Sequence, residues 1–515
     1  MKETIIIIDF GSQVTKLIAR RVREFGVFSI ITPYHLIKKN HFNNEIKGII
    51  LSGGPSSVDE KFAPRVPEFI YDLNIPILGI CYGLQLICKN FGGEVLHSEK
   101  REFGKISLEI KKKSRLFGND FKINKNYQVW MSHSDAIKKL PKNFEVIASS
   151  ENCNSAAIQN KINKIYGVQF HPEVVHTIKG KEILKNFVFQ ICKAKKHWNM
   201  KNFKNEIIES IKKKVGNENV LCGLSGGVDS TVTAVLVHKA IGNRLKCLFV
   251  DTGLMRLNEV KLIKKIFMEN FKIKLDVVNS SKAFMEKLKN VKNPEKKRKI
   301  IGKQFIEVFK AYSKKQKNIK FLAQGTLYPD VIESSSNMGK KSVTIKSHHN
   351  VGGLPKNIEF KLLEPLRELF KDEVRDLGKT LKIPKDFINR HPFPGPGLGI
   401  RILGKITKKN ADILRKADDI FIRKIKDKGL YDNIWQAFCV LLPVKTVGVM
   451  GDNRTYERIC VLRAVTSVDG MTAEAFSFPE NFLEDCANEI INNVKGINRV
   501  CYDLTSKPPG TIEYE

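Results

Sequence analysis

Paired cysteines are missing. The 515-residue chain has ten cysteines, and no two stand in C-x-x-C spacing, so neither a zinc ribbon nor a disulfide framework is indicated. No stretch approaches the ~20 consecutive apolar residues of a membrane span. The N-terminal apolar run Ile5–Ile8 ends at Asp9 and is too short for a signal peptide. The expectation is a cytoplasmic chain with no membrane partner. Internal repeats and low-complexity tracts are also absent, which excludes solenoids and disordered tails.

Acidic residues are scarce: 54 Asp and Glu face 88 Lys and Arg, for a formal net charge of +34. A nucleic-acid partner would gather that surplus in one domain or tail. Instead 31 basic and 18 acidic residues lie in 1–200, and 57 and 36 in 201–515. The Lys runs at 111–113, 212–214 and 296–299 lie in polar segments and read as solvated faces. No nucleic-acid partner is expected.

At ~100–200 residues per domain the length implies two to four domains. Residues 1 to about 192 alternate short apolar runs with helical periodicity. Ile5–Ile8, Val27–Ile31, Gly48–Leu51 and Ile75–Ile80 read as buried parallel strands. Tyr127–Ser132, Phe144–Ser149, Ala156–Gln159 and Ile165–Phe170 lie close together and read as antiparallel. After the linker Lys193–Lys201 a second α/β cycle runs through Val220–Leu224, Cys247–Val250 and Phe321–Gln324, and the pattern changes again near 400. The expected class is α/β with three domains, 1–195, 202–394 and 395–515, the last of them α+β.

Ile75–Ile80 runs into Cys81 within Gly79-x-Cys81-x-Gly83. Glycines on either side allow a strand and a helix to cross closely, so that the side chain between them is held exposed on a strained turn. The helix that follows points its N-terminus at the sulfur and favours thiolate. Alone, the pattern fits a buried structural cysteine equally well. His171-Pro-Glu173 follows another strand, and two residues apart in extended chain the carboxylate can orient the imidazole. The turn Ser52-Gly53-Gly54-Pro55, with the Tyr82 N–H, offers donors for an oxyanion.

These segments resemble the class I glutamine amidotransferases. The resemblance assigns Cys81, His171 and Glu173 as the catalytic triad, Gly53, Gly54 and Tyr82 to the oxyanion, and Gln85, Ser132 and His133 to glutamine. Ser134 stands where that family usually has Gly.

A second motif, Ser225-Gly226-Gly227-Val228-Asp229-Ser230, leaves the strand Val220–Leu224 and opens a helix, the order an anion cradle needs. An ordinary tight turn is the other reading. It lacks the Gly-Lys-Ser/Thr of a Walker loop. It resembles the PP-loop ATP pyrophosphatases, which implies ATP at these six residues and adenosine near Val250, with Mg²⁺ accompanying ATP.

Across nearly the whole chain the motifs are similar to the glutamine-hydrolysing GMP synthetase family. The segments concerned include Gly325–Ser334, Ile345–Leu354, Arg390–Leu398 and Asp503–Glu515. That resemblance implies conversion of XMP, ATP, L-glutamine and water to GMP, AMP, pyrophosphate and L-glutamate, through a cysteine thioester and an adenylated XMP. It assigns Arg256, Lys507 and Glu513 to XMP, with Asp330 and Glu333 as Mg²⁺ ligands. Lys346, His348 and His349 would meet phosphate on a closing lid around 333–354, and a homodimer would form through the C-terminal domain. An NAD synthetase-like PP-loop enzyme and a PP-loop tRNA-modifying enzyme are the alternatives.

Overall fold

The computed structural model describes residues 2–316, 318–336, 360–467 and 472–515, with backbone alone at 98–100, 333–336 and 450. Lys346, His348 and His349 lie outside the described residues. The chain divides into two compact units, Met1–Phe203 and Lys204–Glu515.

The first unit is built on one nine-stranded sheet. Its spatial order is Phe28–Pro33, Thr4–Asp9, Ile46–Leu51, Ile77–Ile80, Ile165–Val168, Ala157–Asn160, Glu145–Ser149, Glu94–Ile110 and Asn126–Lys139. The first five strands are parallel, and every later pairing is antiparallel. Isoleucine-rich strands with no exposed side fit a sheet covered on both faces.

Ile165–Val168 departs from the purely antiparallel expectation. It pairs parallel with Ile77–Ile80 in the register Ile80↔Val168, and antiparallel only with Ala157–Asn160. It is the seam between the two halves of the sheet, and periodicity cannot encode the direction of a strand's neighbour. The consequence is functional: the chain leaves two adjacent parallel strands at the same edge, toward Cys81 from one and toward His171 from the other. The strand Glu94–Ile110 was not anticipated, because its first half, through Lys100, Arg101 and Glu102, has no alternating apolar pattern.

The second unit holds two sheets. One is all-parallel, ordered Leu275–Asn279, Leu245–Asp251, Asn219–Leu224, Ile319–Ala323, Lys361–Leu363. The chain order reverses at Asn219–Leu224, and that strand runs directly into Ser225, at the position where open α/β sheets bind ligands. The other sheet pairs Gln436–Met450 with Asn453–Thr466, flanked by Glu474–Ala475 and Ile497–Tyr502. A single apolar core runs through both, from Leu221 and Leu248 by way of Leu398 and Phe421 to Leu462 and Ile497. The helix Lys408–Asp427 covers it with Ala411, Leu414, Phe421 and Ile425, its N-terminus capped by the Thr407 hydroxyl, which accepts from the Asn410 N–H. Asp418 interrupts this apolar stripe and is almost fully buried.

Candidate active site

Cys81 sits at φ 51°, ψ −106°, a backbone state that L residues rarely adopt. Its N–H donates to the Val168 carbonyl at 2.8 Å, and its own carbonyl accepts from Gln85 N at 3.2 Å, opening the helix Tyr82–Asn90. The two flanking glycines are steric requirements. A Cβ on Gly79 would lie 2.6 Å from the Gly83 carbonyl, and one on Gly83 would collide with the Leu51 carbonyl.

His171 Nδ1 stands 2.8 Å from Glu173 Oε1. Two bonds hold the residue's backbone in place: the main-chain N–H of His171 donates to Trp130 O at 2.9 Å, and the Thr177 hydroxyl donates to the main-chain carbonyl of His171 at 2.6 Å. Burial alone would push the His171 pKa down, but the Glu173 carboxylate and the Cys81 sulfur outweigh it and hold it well above 6.5. Cysteine, imidazole and carboxylate are thus brought together in one buried row.

Ser52 fixes the neighbouring turn: its hydroxyl accepts from Phe10 N at 3.2 Å and donates to Gly53 O at 2.8 Å. Gly53 abuts the imidazole, where a Cβ would stand 3.2 Å from His171 Cε1. Gly54 lies against the Tyr82 ring, where a Cβ would stand 3.4 Å from Cδ1. The Tyr82 hydroxyl points elsewhere, donating to Pro64 O at 2.7 Å.

The remaining sequence candidates divide. The Ser132 carbonyl lies 3.7 Å from Cys81 Sγ, while its side chain is exposed. His133 is buried, with Nδ1 3.0 Å from Asp135 O and Nε2 3.1 Å from Glu102 Oε2. Ser150 donates to both Glu102 oxygens. Burial raises the Glu102 pKa, but His133 and Ser150 bring it below the usual range. Cys153 closes this cluster, its thiol pushed up to about 12, chiefly by burial. Since Glu102 and His133 already satisfy one another, the cluster is a structural network. Gln85 Nε2 donates to Asp135 O at 3.0 Å and to Gln169 Oε1 at 3.4 Å, and Gln169 Nε2 stands 3.5 Å from Cys81 Sγ. Gln169 was missed in the sequence, although it directly precedes the Phe170-His171-Pro172-Glu173 segment. Ser134 lies in the strand Asn126–Lys139 without a positive φ, so the strand needs no Gly there.

In the second unit, Gly227 caps the helix Val228–Ile241 and its carbonyl accepts from the Ser230 hydroxyl at 3.0 Å. The Ser225 and Ser230 hydroxyls are 3.1 Å apart. Gly226 has φ 77°, and a Cβ there would stand 2.9 Å from Glu259 Oε1. Its carbonyl accepts from Arg390 Nη1 at 2.9 Å, and Arg390 is also ion-paired to Glu259. Asp229 accepts from Lys371 Nζ at 2.7 and 2.6 Å. Lys371 and Arg390 are cations at the loop that sequence reasoning missed, since each lies over 100 positions away. Val250 is buried in the adjacent strand, next to Asp251.

A third group surrounds Phe393. The guanidinium carbons of Arg256 and Arg401 lie 5.2 and 5.1 Å from its ring centroid. Arg256 Nε is 2.9 Å from Asp418. Burial lowers the Arg256 pKa, but Asp418 and more distant acids including Glu513 raise it on balance. Arg401 holds Glu513 bidentately at 3.1 and 2.7 Å. The structure therefore brings Arg256 and Glu513 to one neighbourhood. The Lys507 backbone pairs with that of Ala473, its N–H donating to Ala473 O at 2.7 Å. Asp330 Oδ2 accepts from Leu327 N at 3.2 Å at the start of the helix Tyr328–Ser336, which also carries position 333.

Three family models match the chain. Glutamine amidotransferase class-I covers residues 6–191, NAD synthase 200–311 and GMP synthase C terminal domain 423–514. Curated relatives are similar from end to end. The glutamine-hydrolysing GMP synthase of Zymomonas mobilis is 55% identical, covering 100% of this chain and 98% of the relative. Those of Thermosipho melanesiensis and Aquifex aeolicus are 56% and 55% identical, covering 100% of each chain. Among the described residues, no helix is long and apolar enough to cross a membrane.

Proposed function

This chain belongs to the family of glutamine-hydrolysing GMP synthases, and on that premise we propose how its own residues carry the reaction. The observation that carries the reading is one chain with both a thiol, imidazole and carboxylate in contact and a strand-loop-helix anion cradle at the switch point of a parallel sheet. XMP, ATP, L-glutamine and water give GMP, AMP, pyrophosphate and L-glutamate.

His171 takes the Cys81 proton, and the thiolate attacks the side-chain carbonyl carbon of glutamine. N–H groups of the Gly53-Gly54 turn and of Tyr82 receive the oxyanion; the C–N bond breaks, and His171 returns its proton to the departing ammonia. Water then cleaves the thioester to glutamate. Glu173 keeps the imidazole oriented. Gln85, Ser132 and His133 border the glutamine site, with the Ser132 carbonyl nearest the sulfur.

In the second unit, O2 of XMP attacks the α-phosphorus of ATP. Pyrophosphate leaves into the cradle of Ser225, Gly226, Gly227, Val228, Asp229 and Ser230, and adenosine lies against Val250. Ammonia displaces AMP at C2. Arg256, Lys507 and Glu513 serve XMP, and Lys346, His348 and His349 serve the phosphates from a lid. Asp330, on the helix Tyr328–Ser336, offers a hard oxygen donor of the kind that suits Mg²⁺ carried by ATP, and Glu333 is the second ligand that the family resemblance implies. When bound, that ion neutralises phosphate charge. Residues 202–394 and 395–515 are taken as the adenylating and the XMP-binding, dimer-forming parts, and the enzyme as cytoplasmic and homodimeric.

Purified protein given XMP, ATP with Mg²⁺ and glutamine should yield GMP, AMP and pyrophosphate. No GMP, or ADP in place of AMP, would overturn the assignment. Full-length likeness to GMP synthases disfavours the NAD synthetase-like and tRNA-modifying readings.

A further inference from the structure

We propose that Gln169 is a positioning residue for glutamine hydrolysis: its side-chain amide donates an N–H to the Cys81 sulfur and stabilises the thiolate, and Gln85 dictates which end of that amide faces the sulfur. The assignment of amide ends follows from chemistry. The Asp135 carbonyl, 3.0 Å from Gln85 Nε2, can only accept, so the Gln85 NH₂ group faces it. The second hydrogen of that NH₂ group is directed at the Gln169 oxygen, 3.4 Å away. With its oxygen taken, Gln169 presents its own NH₂ group to Cys81 Sγ at 3.5 Å.

The relay is rigid. Gln169 is wholly buried and its backbone N–H donates to Ala156 O at 2.8 Å. Asp135 O also meets the His133 imidazole, which is bonded to Glu102, itself held by the Ser150 hydroxyl. His133 and Gln85, both assigned to glutamine from sequence, thereby act on the sulfur through Gln169.

An N–H donor favours the charged form of its acceptor. A thiolate accepts strongly, whereas a thiol or a thioester sulfur accepts weakly. The bond from Gln169 is therefore strongest when Cys81 is the attacking nucleophile or the leaving group at thioester cleavage. Gln169 is wholly buried and acts on the sulfur itself, so this role needs no contact with substrate.

The proposal rests on reading the first unit as a glutaminase, but its test reads the sulfur directly. In the full-length protein, alkylation by iodoacetamide is followed at Cys81 by peptide mass spectrometry across the neutral and alkaline range. The exposed Cys501 serves as internal control. Gln169→Met, close in shape but without a donor, should raise the midpoint of Cys81 alkylation by about one pH unit and slow the reaction about tenfold at neutral pH, leaving Cys501 unchanged. Gln169→Glu, with an oxygen in place of the NH₂ group, should raise it further. Unshifted midpoints in both variants would overturn the proposal. Should Gln169→Met fail to fold, Gln85→Met carries the test: releasing the Gln169 amide should shift the midpoint the same way by less, and no shift would sink the relay. A shifted midpoint in a protein that does not hydrolyse glutamine would support the role of Gln169 and reject the glutaminase reading.

Discussion

The two reactive centres are held by different means. Around Cys81 the components already meet one another: a strained elbow, an imidazole bonded to its carboxylate, and glycines whose missing side chains let backbone cross backbone. Around the second unit's loop and around Phe393 the charges meet partners that are not substrate. Lys371 is bonded to Asp229, Arg390 to Glu259, Arg256 to Asp418 and Arg401 to Glu513. A site for a neutral amide can be finished in advance, because its key groups satisfy each other. The phosphate chemistry proposed for the second unit calls for several cations within the fold, and a buried cation is tolerable there because a carboxylate pairs with it.

The most severe way to break the comparison is Cys81→Ala. Glutamine-dependent synthesis should fall at least about a thousandfold while synthesis from added ammonia persists, read as GMP formed with each nitrogen donor. Loss of both activities would mean that the centres are not separate.

Lys371→Met tests the exchange of partners at the loop. Removing the cation should lower ATP–pyrophosphate exchange by about ten- to a hundredfold and leave glutaminase untouched. An unchanged exchange rate would make the Lys371–Asp229 pair purely structural.

Gly83→Ala probes the preassembled centre through stability. A Cβ against the Leu51 carbonyl should cost about 3 kcal/mol, seen as a lower denaturant midpoint for the first unit only.

The smallest effect is a pH slope in the second unit. His391 accepts from Ala437 N at Nδ1, and its Nε2 lies 2.9 Å from the Tyr431 carbonyl, an arrangement that fits the neutral ring. Burial, then the nearby Arg256 and Lys426 charges, lower its pKa to about 4. An unfolded histidine takes up its proton near 6.5. Between these values the unfolded state binds more protons, so stability is fully present above 6.5 and is lost as pH falls toward 4. The loss should be on the order of 1–3 kcal/mol, and His391→Leu, though less stable throughout, should flatten the slope of unfolding free energy against pH.

Much of this was legible in the sequence because the signals are local. Cys81 lies between glycines two residues away, His171 and Glu173 are two apart, and the anion loop spans six consecutive residues between strand and helix. Gln169, Lys371, Arg390 and Asp418 were not legible, since each acquires its chemistry from a residue at least 88 positions distant. Glu94–Ile110 was invisible for another reason: charges occupy positions where an alternating pattern would reveal a strand.

The sequence by itself determined the α/β class, the family and the local geometry of both motifs, because backbone preference and short-range spacing are written residue by residue. Only the tertiary structure decided that Ile165–Val168 lies parallel to Ile77–Ile80. That pairing sets the exits toward Cys81 and His171 side by side and turns two separate motifs into one centre. Strand direction is settled by the packing of the whole sheet, and local periodicity is the same for either choice.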